Sequence, residues 1–374
     1  MDGNQGVIAT ERARLGSGWM GSAHLVSLFL GLTVSSRLPA RAAGRVYHRR
    51  VKGGTGQEAA FRVRTTDYHT AGEPFRIVTE GASEPPGRRI LEKRRWAAEH
   101  LDDLRRFLVN EPRGHADMYG CFLTEPEDEG ADLGVLFFHN AGFSTACGHG
   151  TIALVTWALE SRRLPAREGV NQVVVDAPSG RLPTWARVGD DRVESVRFRN
   201  VPSFVLRRRV QAGGLLVDVA FGGAFYAIAP ARLDTQRLPD LIQRARKVKS
   251  ELNAAGWVVH PLEPELRDVY GVIWTDGDRN LTVFADGEVD RSPCGSGTSA
   301  RLALLDLTGE LPRGEVLRHR GIVDTVFTGR VVDGCEVAGM PAVVTEIEGS
   351  AYLTGRHEFV LQSEDPLPTG FLLR

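Results

Sequence analysis

Two short stretches of this chain share a layout that suits proton chemistry. Residues 146–160 read ACGHGTIALVTWALE, and residues 293–307 read PCGSGTSARLALLDL. In each, a cysteine precedes Gly-x-Gly-Thr and an apolar run of helical character. Glycines permit a tight path from a strand into a helix. The first N–H groups of that helix have no intrahelical partners and point outward, and the helix dipole adds partial positive charge there. Such an end favours a small anion, for example a carboxylate. A cysteine at the same place is expected to have its thiolate stabilised, with a pKa falling from about 8.5 toward 7 or lower. Two such turns facing one another would hold one carboxylate and flank the neighbouring carbon with two sulfurs. A thiolate on one face removes the α-proton, and a thiol on the other supplies a new one. That inverts a stereocentre, with Cys147 and Cys294 titrating as a pair and charge on the carboxylate stabilised by the helix ends. No metal or organic cofactor is required.

Other readings of the same residues are available. GHGTIA and GSGTSA each fit a relaxed dinucleotide fingerprint, G-x-G-x-x-A, yet the sequence offers no clear βαβ unit around either turn. Asp306 follows Gly295 too soon to serve as the ribose acid. A Cys147 nucleophile with His149 as base is a third possibility, although residues two apart at a helix start are not expected to face one another. Cys121 and Cys335 read as small buried hydrophobes.

The elements that would position the turns can be read on either side of them. FRVRTTDYHT (61–70) alternates like a strand. EKRRWAAEHLDDLRRFLV (92–109) reads as one amphipathic helix with Ala97, Leu101, Leu104 and Leu108 on one face. LGVLFFH (133–139) is a short apolar strand leading to the first turn. Residues 170–182, 192–206 and 213–229 are strand-rich, the last forming two strands around Gly222-Gly223. LPDLIQRARKVKSELNAAG (238–256) is a second long helix, and RNLTVFADGEVDRS (279–292) leads to the second turn. The pattern thus occurs twice: strands, a long helix, strands, then a Cys-Gly turn opening a helix. Two similar halves of this kind usually form a site between them.

Bulk properties bound the function. The chain has 374 residues, 42% hydrophobic and 25% charged, with a formal net charge of −1, ordinary for a soluble protein of one large or two smaller domains. The charge balance argues against nucleic acid as a partner. Four cysteines without C-x-x-C spacing argue against a disulfide scaffold or a zinc site and for a reduced, cytoplasmic protein. Residues 1–57 carry Asp2 and Glu11 against eight Lys or Arg, with an apolar stretch at 20–34. A leader-like segment is one reading; a disordered extension over 1–60 is preferred, since 20–34 is shorter than the ~18 residues a spanning helix needs.

The sequence resembles the proline racemase family from about Phe61 to the C-terminus. The likeness rests on DYHTAGEPFRIV (67–78), EPRGHADMYG (111–120), ACGHG (146–150), DVAFGGAFYA (218–227) and DRSPCGSGTSAR (290–301). That family includes proline racemases, 4-hydroxyproline 2-epimerases and trans-3-hydroxy-L-proline dehydratases. The resemblance implies an α+β fold like that of diaminopimelate epimerase: two pseudo-symmetric lobes, each a curved, mostly antiparallel sheet around a central helix. The lobes are expected at 61–195 plus 355–374 and at 196–354, with the active site between them. It implies that Cys147 and Cys294 are the bases and that backbone amides at Gly148, His149, Gly295 and Ser296 hold the carboxylate. Asp290 and the His149 side chain would contact the substrate amine; Asp290 also reads as a turn residue. His69, Glu73, His115 and Asp117 are open between structural and pocket-lining roles. A homodimer is common in the family, with a small amino acid as the partner and no membrane or nucleic acid.

Members of the dehydratase branch usually carry Thr at the second cysteine, because elimination needs a base on one face only. Cys294 therefore favours inversion at Cα of proline or a hydroxyproline. Against it, AGEPFRIV, RDVYGVIWTDG (267–277) and DPLPTGFLL (365–373) are similar to the dehydratase branch, which makes dehydration with Cys147 as base the alternative. A non-catalytic binder of small amino acids is the reading from another class. Ala146, where Met commonly precedes the cysteine, is a departure from the family pattern.

Overall fold

The computed structural model describes residues 59–373; the expectation of an extension over 1–60 lies almost wholly outside them. Eighteen strands among the described residues hydrogen-bond into one continuous sheet, with five α-helices: α1 (Ile90–His100), α2 (Asp102–Val109), α3 (Gly148–Glu160), α4 (Leu238–Ala254) and α5 (Gly295–Thr308). The architecture is α+β and dominated by the sheet. None of the described helices is long and apolar enough to cross a membrane.

The order of elements repeats. In the first half, Glu73–Glu80 leads through α1 and α2 to the parallel strand Tyr119–Thr124. Antiparallel Leu133–His139 and short Gly142–Phe143 follow, then α3, then Gly169–Ala177. In the second, Phe225–Pro230 leads through α4 to the parallel strand Val269–Asp276. Arg279–Phe284, Glu288–Val289, α5 and Leu317–Arg320 follow in the same order. Each Cys-Gly turn does sit on a strand–helix–strand crossover, which the sequence reading missed. Leu133–His139 pairs parallel with Gly169–Ala177 at two positions, and Arg279 with Arg320 at one. Pairings this short leave no run of alternating residues to read. The C-terminal strand Ala351–Gln362 returns to pair antiparallel with Ala59–Thr70 along most of its length.

α3 is buried from Gly148 to Leu159, as its apolar residues on every face require. Ile152, Val155 and Leu159 join Phe75, Phe137 and Val175 in one core cluster. α4 buries the stripe Leu241, Ala245, Val248 and Leu252 against Phe204, Phe221 and Trp274. The helix expected over 92–109 is two helices. Ala97, Leu101, Leu104 and Leu108 are all buried as expected, but the chain breaks at Leu101 (φ −112°, ψ 7°). Asp102 and Asp103 occupy the first turn of α2, where carboxylates meet the positive end of a helix dipole instead of its middle.

One buried ion pair ties the first hairpin to α2. Arg76 Nη2 donates to Asp67 Oδ2 at 2.8 Å, with both side chains under a tenth exposed. Arg76 also donates to the carbonyls of Leu108 and Arg113, and its guanidinium lies 4.3 Å from the centre of the Phe359 ring. Asp67→Ala strands a buried cation, and the expected loss is about 3–5 kcal/mol. A urea midpoint corresponding to under about 1 kcal/mol, the range of exposed pairs, would rule out that role.

Candidate active site

Cys147 is the N-cap of α3, with extended backbone (φ −153°, ψ 98°), and its Sγ accepts from the Gly150 amide at 3.2 Å. Cys294 precedes α5 with φ 64° and ψ 100°. That is left-handed backbone, which a non-glycine residue adopts at a cost of roughly 1–3 kcal/mol. The two turns are alike in sequence and differ in geometry, and the strain falls on the second.

Gly148 and Gly295, the first residues of the two helices, abut. A Cβ added at Gly148 would lie 2.5 Å from Gly295 Cα, and one added at Gly295 would lie 2.7 Å from Gly148 Cα. Gly222 and Gly223 fill the angle behind them. A Cβ at Gly222 would meet Ser296 O at 2.2 Å, and one at Gly223 (φ 99°) would meet Ala146 Cβ at 2.9 Å. The glycine pair in DVAFGGAFYA is thus a close approach of a strand end to both helix starts.

A single small chamber of about 10 Å³ is lined by the seven residues that the resemblance names as bases or substrate contacts: Cys147, Gly148, His149, Asp290, Cys294, Gly295 and Ser296. Its remaining walls are Ala146, Tyr119, Tyr226, Tyr270 and Phe284. Tyr226 Oη lies 2.7 Å from Ser296 Oγ and 3.7 Å from Cys294 Sγ. Tyr119 and Tyr270 meet hydroxyl to hydroxyl at 3.1 Å. These aromatics lie in stretches quoted above, but nothing in the sequence marked them as neighbours, since they come from separate strands that only the sheet pairing brings together.

Asp290 serves as a turn residue and a chamber wall at once. Its Oδ1 accepts from the Ser292 amide at 2.8 Å and the Ser292 hydroxyl at 2.7 Å, and Ser292 Oγ accepts from the Cys294 amide at 3.1 Å. Burial raises the Asp290 carboxyl to about 6, against the two bonds from Ser292. Glu73 accepts from the Arg291 amide at 2.8 Å, and Asp117 pairs with the Arg291 guanidinium at 3.0 Å. Both hold the Asp290–Cys294 loop from behind and neither lines the chamber. His69 accepts from the Gly72 amide and stacks on Tyr352, and His115 contacts the neighbouring Ala116 carbonyl. These two are structural in this arrangement.

Two electrostatic expectations are corrected. The thiols are not lowered. Cys147 and Cys294 are 5% and 6% exposed. Burial, followed by the negative charge of Asp290, pushes Cys294 up to about 12. Burial likewise raises Cys147 well above its ordinary value, against the Gly150 amide. In the closed chamber desolvation of the thiolate outweighs the helix ends. The second correction concerns His149, whose Nε2 lies 3.4 Å from Cys147 Sγ. The pair does meet, because Cys147 stands outside the helix and turns its side chain back over the first turn. Burial lowers His149 to about 3, so it is a neutral neighbour and a weak base. Cys121 is fully buried, as expected, whereas Cys335 is half-buried.

Two thiols at paired helix ends, closed in by hydroxyls and one carboxylate, suit proton transfer at a carbon next to a carboxylate. The chain belongs to the proline racemase family, whose sequence model matches residues 65–372. Among its relatives, the trans-3-hydroxy-L-proline dehydratase of Bacillus cereus is 43% identical over 325 residues, covering 83% of this chain and 97% of that protein. The 3-hydroxyproline 2-epimerase of Burkholderia multivorans is 44% identical over 327 residues, covering 83% and 98%. The crystal structure of a hydroxyproline epimerase from Agrobacterium vitis with bound trans-4-OH-L-proline superposes with a TM-score of 0.78 at 30% identity, covering 83% and 96%.

Proposed function

We propose that this protein inverts the Cα of proline or a hydroxyproline by two-base thiol chemistry. The observation that carries this reading is the convergence of Cys147 and Cys294 on one chamber at abutting helix ends. Relatives of nearly equal identity bear epimerase and dehydratase names, so likeness alone does not choose between them. Cys294 favours inversion, because inversion needs a proton donor opposite the base and elimination does not.

The substrate carboxylate takes the amides of Gly148, His149, Gly295 and Ser296, whose N–H groups have no helical partners. The substrate ammonium faces Asp290 and neutral His149, and its charge offsets the desolvation that holds the thiols neutral. One sulfur, as thiolate, takes the α-proton: an S–H bond forms, the C–H bond breaks, and the electron pair moves into the carboxylate. The opposite thiol then delivers its proton to the other face. Neither step needs an electron acceptor. The two halves, 61–195 with 355–374 and 196–354, are read as lobes with the ligand between them. The pairing of Ala351–Gln362 with Ala59–Thr70 supports grouping the C-terminal strand with the first half. The family likeness favours a homodimer and the four unpaired cysteines favour the cytoplasm; sedimentation and fractionation are the checks.

The test is incubation with proline, 4-hydroxyproline and 3-hydroxyproline in deuterated water. Deuterium at Cα of the inverted isomer supports the proposal. Loss of water from the 3-hydroxy substrate without inversion would select dehydration with Cys147 as base, a reading favoured by the Bacillus relative's name. Tight binding without exchange would select a non-catalytic binder.

Acid should silence the site. Asp290 titrates at about 6, and only its ionised form attracts an ammonium. On top of the dependence set by the thiols, kcat/KM is expected to lose up to about a further tenfold per unit as pH drops below about 6. Asp290→Asn should lower activity and lose that limb; a profile still breaking near 6 in the variant would assign the limb elsewhere.

A further inference from the structure

The chamber of about 10 Å³ holds about one water, yet a cavity of about 560 Å³ lies directly beside it. Four stretches of chain pass from one space to the other. Ser144 and Thr145 line the large cavity, and Ala146 and Cys147 the small one. Phe225 gives way to Tyr226, and Ala285 to Phe284, in the same sense. Tyr270 lines both. It is the shared wall, hydroxyl-bonded to Tyr119 at 3.1 Å and stacked on Phe284 at 5.6 Å.

The charge of the large cavity is built, not incidental. Arg267 and Asp268 pair with each other at 3.8 Å, and Asp286 lies 3.9 Å from Arg246. Arg94 and Lys249 remain, and both rest on backbone carbonyls: Arg94 on Phe143 and Lys249 on Ala285. Arg94 Nε is buried with no hydrogen-bond partner. Glu265 lies within electrostatic reach of Arg94, and Asp268, Asp286 and Glu288 within reach of Lys249. These carboxylates offset part of the cost of withdrawing two cations from water, and a ligand's negative charge beside them would offset more. The cavity falls within the ~300–1,000 Å³ typical of small-molecule sites.

We propose that this cavity is the access vestibule of the thiol chamber, that Arg94 and Lys249 draw small carboxylates into it, and that Tyr270 is the movable wall between the two. The carboxylate class rests on the proposed function; the route does not. A substrate captured at Arg94 and Lys249 passes to the helix ends when Tyr270 leaves Tyr119.

Alkylation of the full chain tests the proposal without any turnover. Iodoacetate and iodoacetamide react alike: sulfur bonds to the methylene carbon, iodide leaves, and the thiol proton passes to buffer. They differ in that one carries a carboxylate. Rates at Cys147 and Cys294 are read by peptide mass mapping, with half-buried Cys335 as the internal reference. The iodoacetate-to-iodoacetamide ratio at the chamber thiols, relative to Cys335, is expected to fall about tenfold in Arg94→Gln/Lys249→Gln, the lower range of electrostatic steering. Arg94→Lys/Lys249→Arg should restore it, which separates charge from packing. Tyr270→Ala should accelerate both reagents at least about tenfold, as removing a gate does. A ratio unmoved by loss of both cations overturns the carboxylate role, and unchanged rates in Tyr270→Ala overturn the route. If no proline derivative exchanges its α-proton while the alkylation pattern holds, the vestibule stands and the proposed function falls.

Discussion

Cys294→Ser is expected to reduce inversion of the preferred proline derivative by roughly 10²–10⁴-fold, the range a positioned acid or base supplies. Serine fits the space and keeps a hydrogen-bonding group beside Tyr226 and Ser296. Its hydroxyl is far too weak an acid to exchange protons with a carbon at neutral pH. The two cysteines should not respond alike. Cys147→Ser is expected to remove inversion and also any elimination from the 3-hydroxy substrate, whereas Cys294→Ser spares elimination, which uses one face. Chiral chromatography for inversion and detection of the dehydrated ring product separate the two outcomes. Wild-type inversion in Cys294→Ser would remove that thiol from the mechanism.

Gly148→Ala should be nearly as damaging, although it changes no reacting atom. The added Cβ would lie 2.5 Å from Gly295 Cα, about 3.0 Å from Gly295 C and 3.1 Å from its N. All three are backbone atoms, so no side chain can swing aside and the helix ends must separate. Displacement by about 1 Å can cost on the order of 10²-fold in rate, and overpacking of this kind typically costs about 1–3 kcal/mol. The corresponding Gly295→Ala meets Gly148 Cα at 2.7 Å and should behave likewise. Thermal unfolding and kcat measured together check this. Activity within twofold of wild type at an unchanged midpoint would contradict the close approach.

The two helix-start turns were legible in the sequence because they are local. Cys-Gly-x-Gly-Thr before an apolar run writes the sulfur, the tight turn and the exposed amides into five consecutive residues, and both copies sit where that reading places them. Strand 133–139 and the long helix of the second half were legible from apolar runs and spacing. What was not legible depends on distant chain. Tyr119, Tyr226, Tyr270 and Phe284 become neighbours through strand pairing. Gly222 is required by a carbonyl on α5, more than seventy residues on. The thiol shifts reversed sign because burial, a property of the whole fold, exceeds the helix-end effect that one turn displays. The break at Leu101 follows from two aspartates that an amphipathic pattern does not weigh.

The most direct test of opposed thiols is the isotopic pattern at low conversion. Each enantiomer or epimer is supplied separately in deuterated water, and the reaction is stopped early. Two monoprotic bases on opposite faces predict deuterium at Cα of the inverted product and protium at Cα of the recovered starting isomer, in both directions. Equal deuterium in product and recovered substrate would mean that one base serves both faces, and the pairing of Cys147 with Cys294 would be wrong.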